Sequence, residues 1–198
     1  ARVYVNGKEA CFWPFGYNSF HCDVTGLLNA DGKNNVLAVR LENRPQSSRW
    51  YPGAGLYRNV RLVTTERVHV PVWGTQLTTP HVSAEYASVR LRTTIRNAGD
   101  ADVRISTDII APDGKIVARK DNSRKINHGQ PFEQNFLINA PSLWSPETPY
   151  LYKAVSKIYV DGKQTDEYTT RFGIRSIEII ADKGFFLNGK HRKFQGVC

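Results

Sequence analysis

Short stretches in which apolar and polar residues alternate recur along most of this 198-residue chain, and turn-forming residues separate them. Alternation with a period of two is typical of β-strands that bury one face. After residue 66 the pattern predicts strands at 68–77, 88–95, 103–110, 116–119, 132–138, 150–160 and 165–172. The chain is therefore expected to fold almost entirely as β-structure.

Turn signals separate these predicted strands. Asp113-Gly114 and Asp161-Gly162 place residues that favour turns where the backbone has to reverse. Seven strands in about 105 residues are the number and spacing of an immunoglobulin-like β-sandwich, which we expect at 66–173. No cysteine lies between Cys22 and Cys198, so packing alone has to hold the two sheets of this sandwich together.

A second group of strand signals lies before residue 66. Asn6-Gly7 accepts the positive φ angles of a two-residue turn, so residues 2–5 and 8–13 are expected to form a hairpin. Further alternation predicts strands at 35–42 and 56–63, and Asp23 can cap a short helical turn over 23–28. About five strands are too few for a closed jelly roll of eight. We expect 1–65 to be the C-terminal half of a jelly roll, with open edges and exposed apolar surface.

The formal net charge of +9 raises the question of nucleic-acid binding. One group of cations alternates with apolar residues, as the outward face of a strand would, and a second group is expected in a polar loop. The first group is Arg90, Arg92, Arg96 and Arg104, and the second is Arg119, Lys120, Arg124 and Lys125. A solvated surface explains both groups, so no nucleic-acid partner is expected. Nor does any apolar run approach the roughly 20 residues of a membrane span.

The three cysteines, Cys11, Cys22 and Cys198, have no spacing that is typical of a metal site. We therefore expect neither a metal nor a cofactor. A bridge between Cys11 and Cys22 stays open as an alternative, but two buried thiols are the expectation.

Several longer motifs follow one another in a fixed order. They are residues 2–8, 16–25, 35–40 and 49–60, then Pro141-Ser-Leu-Trp-Ser-Pro-Glu-Thr-Pro-Tyr-Leu-Tyr, then Arg171-Phe-Gly-Ile-Arg and Phe186-Leu-Asn-Gly-Lys. Together they resemble the N-terminal part of glycoside hydrolase family 2, which contains bacterial β-galactosidases and β-glucuronidases. The resemblance implies half of a sugar-binding jelly roll at 1–65, an immunoglobulin-like domain at 66–173, and the first hairpin of a truncated (β/α)8 catalytic barrel at 174–198.

The resemblance implies that the full-length protein is a retaining glycoside hydrolase. The first expectation is a β-galactosidase acting on terminal non-reducing β-D-galactosides, with β-glucuronidase and β-mannosidase as alternatives. Such enzymes use two carboxyl groups about 5 to 5.5 Å apart, and the family carries both as barrel glutamates, the acid/base one after an Asn. This chain has no Asn-Glu pair. We therefore assign it no catalytic residue and expect it to be inactive alone.

The resemblance also bears on partners and location. The expected partners are the carbohydrate substrate, bound through the full-length enzyme, and the catalytic barrel, while a homo-oligomer stays open. A periplasmic or secreted location is implied, although no signal peptide is visible in the chain. A different class, a free-standing carbohydrate-binding or adhesive β-sandwich, is the alternative. A self-contained module has no reason to carry the Asn188-Gly-Lys hairpin and Gly196-Val197, so these residues favour the hydrolase.

Four residues are candidates for contact with substrate, namely Tyr17, Asn18, Arg49 and Trp50. In the family the jelly roll lends a loop to the edge of the active site, and some members carry an acidic residue in the segment matching 15–20. The corresponding residue here is Phe15, which can bind neither a sugar hydroxyl nor a cation. Trp50, Tyr51 and Tyr57 could form a platform for stacking on sugars, but packing against a neighbouring domain is the favoured interpretation.

The motif at 141–152 predicts a structural corner. Pro146 and Pro149 remove two backbone donors, so the chain cannot pair regularly there. Trp144 is expected to cover the core, and Tyr150 is expected to open the next strand. The final segment, 185–198, is expected to be loosely held and to fold back as a hairpin.

Overall fold

Antiparallel β-strands make up nearly all of the regular structure. The computed structural model describes residues 1–29, 33–47, 53–96, 99, 101–125 and 130–196, and these residues form thirteen strands and one 3-10 turn. The expected all-β class is confirmed. Within the same ranges no helix has the length and apolar character needed to cross a bilayer. The chain divides into two compact units, Ala1–Val63 and Thr64–Cys198, and the finer three-domain division stays a prediction.

The first unit contains a three-stranded antiparallel sheet in the order β2-β1-β3. Its strands are β1 (Arg2–Val5), β2 (Lys8–Phe12) and β3 (Leu37–Arg40). The predicted hairpin is confirmed, because Asn6 and Gly7 join β1 to β2 with φ angles of 51° and 80°. The Asn6 side chain donates to Leu27 O and accepts from Val36 N, each at 2.9 Å. The first bond ties the β1–β2 turn to Leu27, and the second ties it to the residue before β3.

The helical turn expected over 23–28 is present in a shortened form. It is a single 3-10 turn, Thr25–Leu27. Asp23 Oδ1 accepts the backbone N–H of Thr25 at 2.9 Å, so its carboxylate satisfies a donor at the start of the turn.

Two strand predictions in this unit need correction. The strand expected over 35–42 is reduced to β3, and over 56–63 no strand forms. Leu56, Val60 and Leu62 are 63%, 62% and 76% exposed. Alternation produces a strand only where one face is buried and the backbone has a ladder partner. Neither condition is met over 56–63, and the expected exposed apolar surface is found there instead.

Two antiparallel sheets packed face to face form the main part of the second unit. The first, in the order β4-β5-β8, contains β4 (Thr75–Val82), β5 (Tyr86–Thr93) and β8 (Phe132–Asn139). The second, in the order β10-β9-β6-β7, contains β6 (Asp102–Ile110), β7 (Ile116–Lys125), β9 (Tyr152–Val160) and β10 (Lys163–Phe172). Leu91 and Phe136 of the first sheet share an apolar cluster with Ile109 and Ala154 of the second. The predicted immunoglobulin-like sandwich is therefore present.

Three details of the sandwich differ from the prediction. The first strand begins at Thr75 rather than at residue 68, and before it His69 makes an isolated bridge to Arg96. Strand β9 begins at Tyr152, while Tyr150 is 46% exposed. Strand β7 continues to residue 125, so the cations at 119, 120, 124 and 125 lie on a strand and not in a loop.

Strand β7 tolerates these charges because it lies at the edge of its sheet. Arg119 Nη2 donates to Asp108 Oδ2 on β6 at 2.8 Å, and this hydrogen bond lowers the pKa of Asp108. In the opposite direction, Arg104 on β6 donates to Asp121 on β7 at 3.1 Å. From the sequence alone, the segment with the cations at 119–125 was expected to be a loop. Cross-strand pairs of opposite charge stabilise it as a strand instead.

A layer of buried polar side chains lies between two apolar clusters of the core. Thr107 Oγ1 donates to Gln134 Oε1 at 2.7 Å and lies 2.8 Å from Ser156 Oγ. Gln134 Nε2 donates to Lys120 O and to Asn122 Oδ1, both at 3.1 Å. Gln134 is fully buried. Because β8 and β7 belong to different sheets, Gln134 ties the two sheets together by hydrogen bonds.

A third sheet follows the sandwich within the second unit. It contains β11 (Ile177–Ile180), β12 (Gly184–Leu187) and β13 (Lys190–Arg192), in the order β11-β12-β13. Asn188 and Gly189 join β12 to β13 with φ angles of 51° and 73°. The final segment therefore folds back as a hairpin, as expected.

Replacing Gln134 with Ala should destabilise the sandwich by about 2–4 kcal/mol, because the change leaves buried partners unsatisfied and opens a cavity. The measurement is native-state amide hydrogen exchange of the slowest amides in β6 and β9, which reports on the sandwich separately from the first unit. Asn135→Ala is the matched control: this neighbouring side chain faces solvent, and its loss should cost no more than about 0.5 kcal/mol. Equal effects of the two changes would contradict the role given to Gln134.

Candidate functional site

The segment between β2 and the 3-10 turn carries two of the candidate residues. We call residues 13–22 the aromatic loop. Tyr17 is 63% exposed and Phe15 is 53% exposed, and their rings meet edge to face with centroids 5.7 Å apart. Asn18 is exposed beside them. The loop therefore presents two aromatic rings and an amide to solvent.

A disulfide closes the base of the aromatic loop. Cys11 and Cys22 are bonded, with their Cα atoms 6.0 Å apart, and both are half-buried. The expectation of two buried thiols was therefore wrong. The loop returns to β2 and brings the two Cα atoms within the 4.4–6.8 Å range that a disulfide requires. Sequence spacing does not determine this return path, which is why both alternatives were open.

Further contacts hold the aromatic loop from the side of residues 57–58. Tyr57 OH donates to Gly16 O at 3.1 Å, and Arg58 donates to Ser19 Oγ at 3.2 Å. Trp13 and Phe20 stack across the loop, with ring centroids 5.7 Å apart. Tyr57, one member of the predicted platform, thus lies against the loop that carries Tyr17 and Asn18.

This arrangement offers binding chemistry. The faces of aromatic rings carry partial negative charge that attracts the C–H hydrogens of a sugar ring, and Asn18 adds a donor and an acceptor. In the part of the chain that the structure describes, no group of three or more His, Cys, Asp or Glu residues could hold a metal ion. Contact of Tyr17 and Asn18 with substrate stays a prediction. Arg49, Trp50 and Tyr51 lie outside the described residues.

Asn188 fastens the β12–β13 hairpin to the sandwich. Its side-chain amide donates to Trp144 O at 3.0 Å, and its side-chain oxygen accepts the N–H of Ser176 at 3.0 Å. Its backbone N–H donates to Ser176 O, also at 3.0 Å. One residue therefore joins the hairpin, the strand before it and the corner at 141–150.

Trp144 and Glu147, both in that corner, provide the other attachments. The backbone N–H of Trp144 donates to Ile174 O at 2.8 Å. The Arg175 guanidinium lies 5.0 Å from the centre of the Trp144 indole ring. Glu147 accepts two hydrogen bonds from Arg192 on β13, the longer of them 2.8 Å. The expectation that the final segment, 185–198, is loosely held is therefore wrong for residues 185–192, because the corner supplies partners for Asn188 and Arg192.

The attachment by Arg192 changes the ionisation of Glu147. The hydrogen bonds from Arg192, with smaller contributions from the backbone and from Ser145, lower the pKa of Glu147 from 4.5 to about 2. The carboxylate is thus held in its charged form over the whole range in which an ordinary Glu titrates.

The roles of Asn188, Glu147 and Arg192 are not predictable from local sequence. The Asn188-Gly189 pair signalled a turn, but its side-chain partners lie 12 and 44 residues away. Glu147 and Arg192 are separated by 45 residues. No local signal connects such pairs. The two prolines around Glu147 did signal a corner, without showing what the corner holds.

With the fold and these contacts described, the chain can be compared with known proteins. The family model for glycosyl hydrolases family 2 matches residues 70–175. This range includes all seven strands of the sandwich and the corner around Trp144. The chain belongs to glycosyl hydrolase family 2.

Individual relatives agree with this assignment. The chain is 40% identical over 203 residues to the β-galactosidase BoGH2A of Bacteroides ovatus, covering 100% of this chain and 24% of that protein. It is 31% identical over 226 residues to a β-glucuronidase of Formosa agariphila, covering 99% of this chain and 22% of that protein. A crystal structure of a glycosyl hydrolase family 2 member from Bacteroides cellulosilyticus matches with a TM-score of 0.85 at 33% identity, covering 98% of this chain and 27% of that one. The chain thus spans about a quarter of the length of these relatives.

The disulfide leads to a prediction that alkylation and mass spectrometry can check. Of the three cysteines in the chain, only Cys198 should react with iodoacetamide after denaturation without reductant, and all three should react after reduction. The Cys11→Ser/Cys22→Ser double variant should lose about 2–3 kcal/mol of stability in the first unit, the amount expected for a loop of this length. Uptake of three alkyl groups without reductant would contradict the pairing.

The ion pair of Glu147 leads to a prediction about pH. Because the folded-state pKa lies below the ordinary value, the stabilisation is fully present above about pH 4.5 and is lost as the pH falls through about 2. An NMR titration of the Glu147 carboxyl carbon should give a midpoint near 2. In Arg192→Gln the midpoint should rise toward 4.5. An unchanged midpoint in this variant would show that Arg192 is not the cause.

Proposed function

We propose that this chain is the non-catalytic N-terminal portion of a retaining glycoside hydrolase of the β-galactosidase type. The full-length protein hydrolyses terminal non-reducing β-D-galactosides. In it, this portion supports the catalytic barrel and shapes the rim of the active site. The portion comprises half of a jelly roll at 1–65, the sandwich at 66–173 and the first hairpin of the barrel at 174–198.

Family membership and the relatives' names support the activity. The β-galactosidase BoGH2A is 40% identical over the whole of this chain, whereas two relatives from Formosa agariphila whose names include β-glucuronidase are 36% and 31% identical. The galactoside is therefore the first choice and the glucuronide the second. Since function depends on the residues of a site rather than on the fold, the choice between them needs a direct assay.

The supporting role rests on the attachment of the β12–β13 hairpin. Three hydrogen bonds of Asn188 and the pair between Glu147 and Arg192 fix this hairpin against the corner of the sandwich. A hairpin fixed in this way gives the following domain a defined starting position. The sandwich would then position the barrel through hydrogen bonds made by a few named side chains.

A periplasmic or secreted location is part of the proposal. The Cys11–Cys22 disulfide supports it, because disulfides form and persist in oxidising compartments and are rare in the cytosol.

The test is hydrolysis of 4-nitrophenyl glycosides by the full-length protein and by this chain. The full-length protein should release nitrophenol faster from the β-D-galactopyranoside than from the β-D-glucuronide or the β-D-mannopyranoside. The 198-residue chain should release none above buffer, because it carries no catalytic carboxylate pair of the family. Turnover by this chain alone, or a preference of the full-length protein for the glucuronide, would overturn the corresponding part of the proposal.

The supporting role predicts a separate effect of Asn188→Ala in the full-length protein. Loss of the side-chain bonds to Trp144 and Ser176 should shorten the half-life of activity on heating. The KM for a nitrophenyl galactoside should stay unchanged, since Asn188 is not assigned a contact with substrate. Asn139→Ala, which removes an exposed amide at the end of β8, is the control and should leave the half-life as it is. A raised KM with an unchanged half-life would contradict a supporting role for Asn188.

A further inference from the structure

A small cavity lies on the outer side of the sandwich, at one end of the sheet β4-β5-β8. Its volume is about 180 Å³, and its walls include Trp73, Thr75, Gln76, Arg92 and Pro131. All of its lining residues belong to the second unit. They combine an indole with planar polar side chains.

Trp73 is held at the cavity in a strained turn. Gly74 N donates to Pro71 O at 2.7 Å, which closes the turn, and Trp73 occupies its third position with a φ angle of 59°. Glycine or asparagine adopts this conformation at lower cost than a bulky aromatic residue. The Trp73 side chain is nonetheless 59% exposed. Trp73 thus combines a costly backbone conformation with a largely exposed indole, and strained residues of this kind are concentrated at functional sites.

The floor of the cavity is set by the register of three strands. Gln76 on β4 pairs with Arg92 on β5, and Arg92 pairs with Glu133 on β8. All three are on the exposed face of the sheet. Arg92 Nε lies 3.5 Å from Glu133 Oε2, so the carboxylate orients the guanidinium and offsets its charge. Gln76 and Arg92 therefore offer fixed planar donors, and Gln76 also offers an acceptor.

We propose that this cavity is an accessory saccharide-binding site that takes one pyranose unit of a glycan. The indole of Trp73 stacks on the C–H face of the ring, and Gln76 and Arg92 bind hydroxyl groups at the floor. The choice of a saccharide as ligand rests on the proposed function, whereas the site itself rests on the cavity. The volume of about 180 Å³ is below the roughly 300 Å³ of pockets for drug-sized ligands, so the proposal is confined to one ring.

The charge at the site favours a neutral polyhydroxylated ligand. Glu133 lies within 3.7 Å of Arg90 as well as within 3.5 Å of Arg92, so one carboxylate faces two cations. A phosphate or sulfate group would find Arg92 already engaged and would meet the repulsion of Glu133. Hydroxyl groups can accept from Arg92 without displacing that carboxylate.

The test is a titration of the 198-residue chain, followed through the indole Nε1–H signals of its four tryptophans. The neutral probe is β-linked galactotriose, and the acidic probe is methyl β-D-glucuronide. The Trp73 signal should shift saturably with galactotriose, with a Kd on the order of 1 mM. Trp73→Ala and Arg92→Ala should each weaken binding at least about tenfold, or about 1.4 kcal/mol.

Arg90→Ala is the matched control. Arg90 lies on the same strand and faces the same carboxylate as Arg92, but it is not part of the cavity wall, so its loss should change the Kd less than about twofold. The inference fails if neither probe shifts the Trp73 signal saturably, if Trp73→Ala binds as tightly as the wild type, or if Arg90→Ala weakens binding as much as Arg92→Ala. Tighter binding of the glucuronide than of galactotriose would overturn the preference for a neutral ligand.

The proposed function is tested independently. The unmodified full-length protein is assayed with 4-nitrophenyl β-D-galactopyranoside, because this small substrate needs no accessory site. An active full-length protein without binding at Trp73 rejects the accessory site alone. An inactive full-length protein with saturable binding at Trp73 rejects the proposed hydrolase and retains the site.

Discussion

The contact between Trp144 and Gly173 is the constraint on which the arrangement of the second unit depends. Gly173 lies between Phe172 and Ile174, both buried in the main core cluster, and a Cβ atom at Gly173 would lie 2.8 Å from the Trp144 side chain. Only glycine lets the indole approach the backbone this closely. Asn188 is bound in turn to the carbonyl of Trp144. The position of the last hairpin is therefore set by where the indole meets the end of β10.

A second constraint is the register of β5 and β8, which fixes both faces of one sheet at once. Gln134 points into the buried polar layer, and its neighbour Glu133 points outward to Arg92. A slip of β8 by one residue would exchange these faces, burying the charge of Glu133 and exposing Phe136. The hydrogen bonds of Gln134 to β7 oppose such a slip. The same bonds that tie the two sheets together thus keep the floor of the Trp73 cavity in order.

How far the sequence predicts this molecule depends on whether the deciding interaction is local. Asn6-Gly7 and Asn188-Gly189 were identified as turns because the demand for positive φ is met within two residues. The strand predicted over 56–63 was wrong, since alternation needs a buried face that only the rest of the fold can supply. The pairing of Cys11 with Cys22 depends on the return path of a loop. Of the candidate sites, the aromatic loop was indicated by the family resemblance, whereas the exposure and positive φ of Trp73 left no signal in the sequence.

The aromatic loop helps to explain how similar N-terminal β-structure can occur in enzymes that are named for different sugars. Relatives with 40% and 31% identity to this chain are named β-galactosidase and β-glucuronidase, and the two sugars differ in the orientation of the C4 hydroxyl and in the C6 group, which is a hydroxymethyl group in one and a carboxylate in the other. Phe15 and Tyr17 present uncharged aromatic rings, which can pack on C–H groups of either sugar and carry no charge that would select a carboxylate over a hydroxymethyl group. If these residues contact substrate, they stabilise the bound substrate and the transition state by similar amounts of binding free energy. Such uniform binding lowers KM without raising kcat. The aromatic loop can therefore be retained while the residues that select the sugar change.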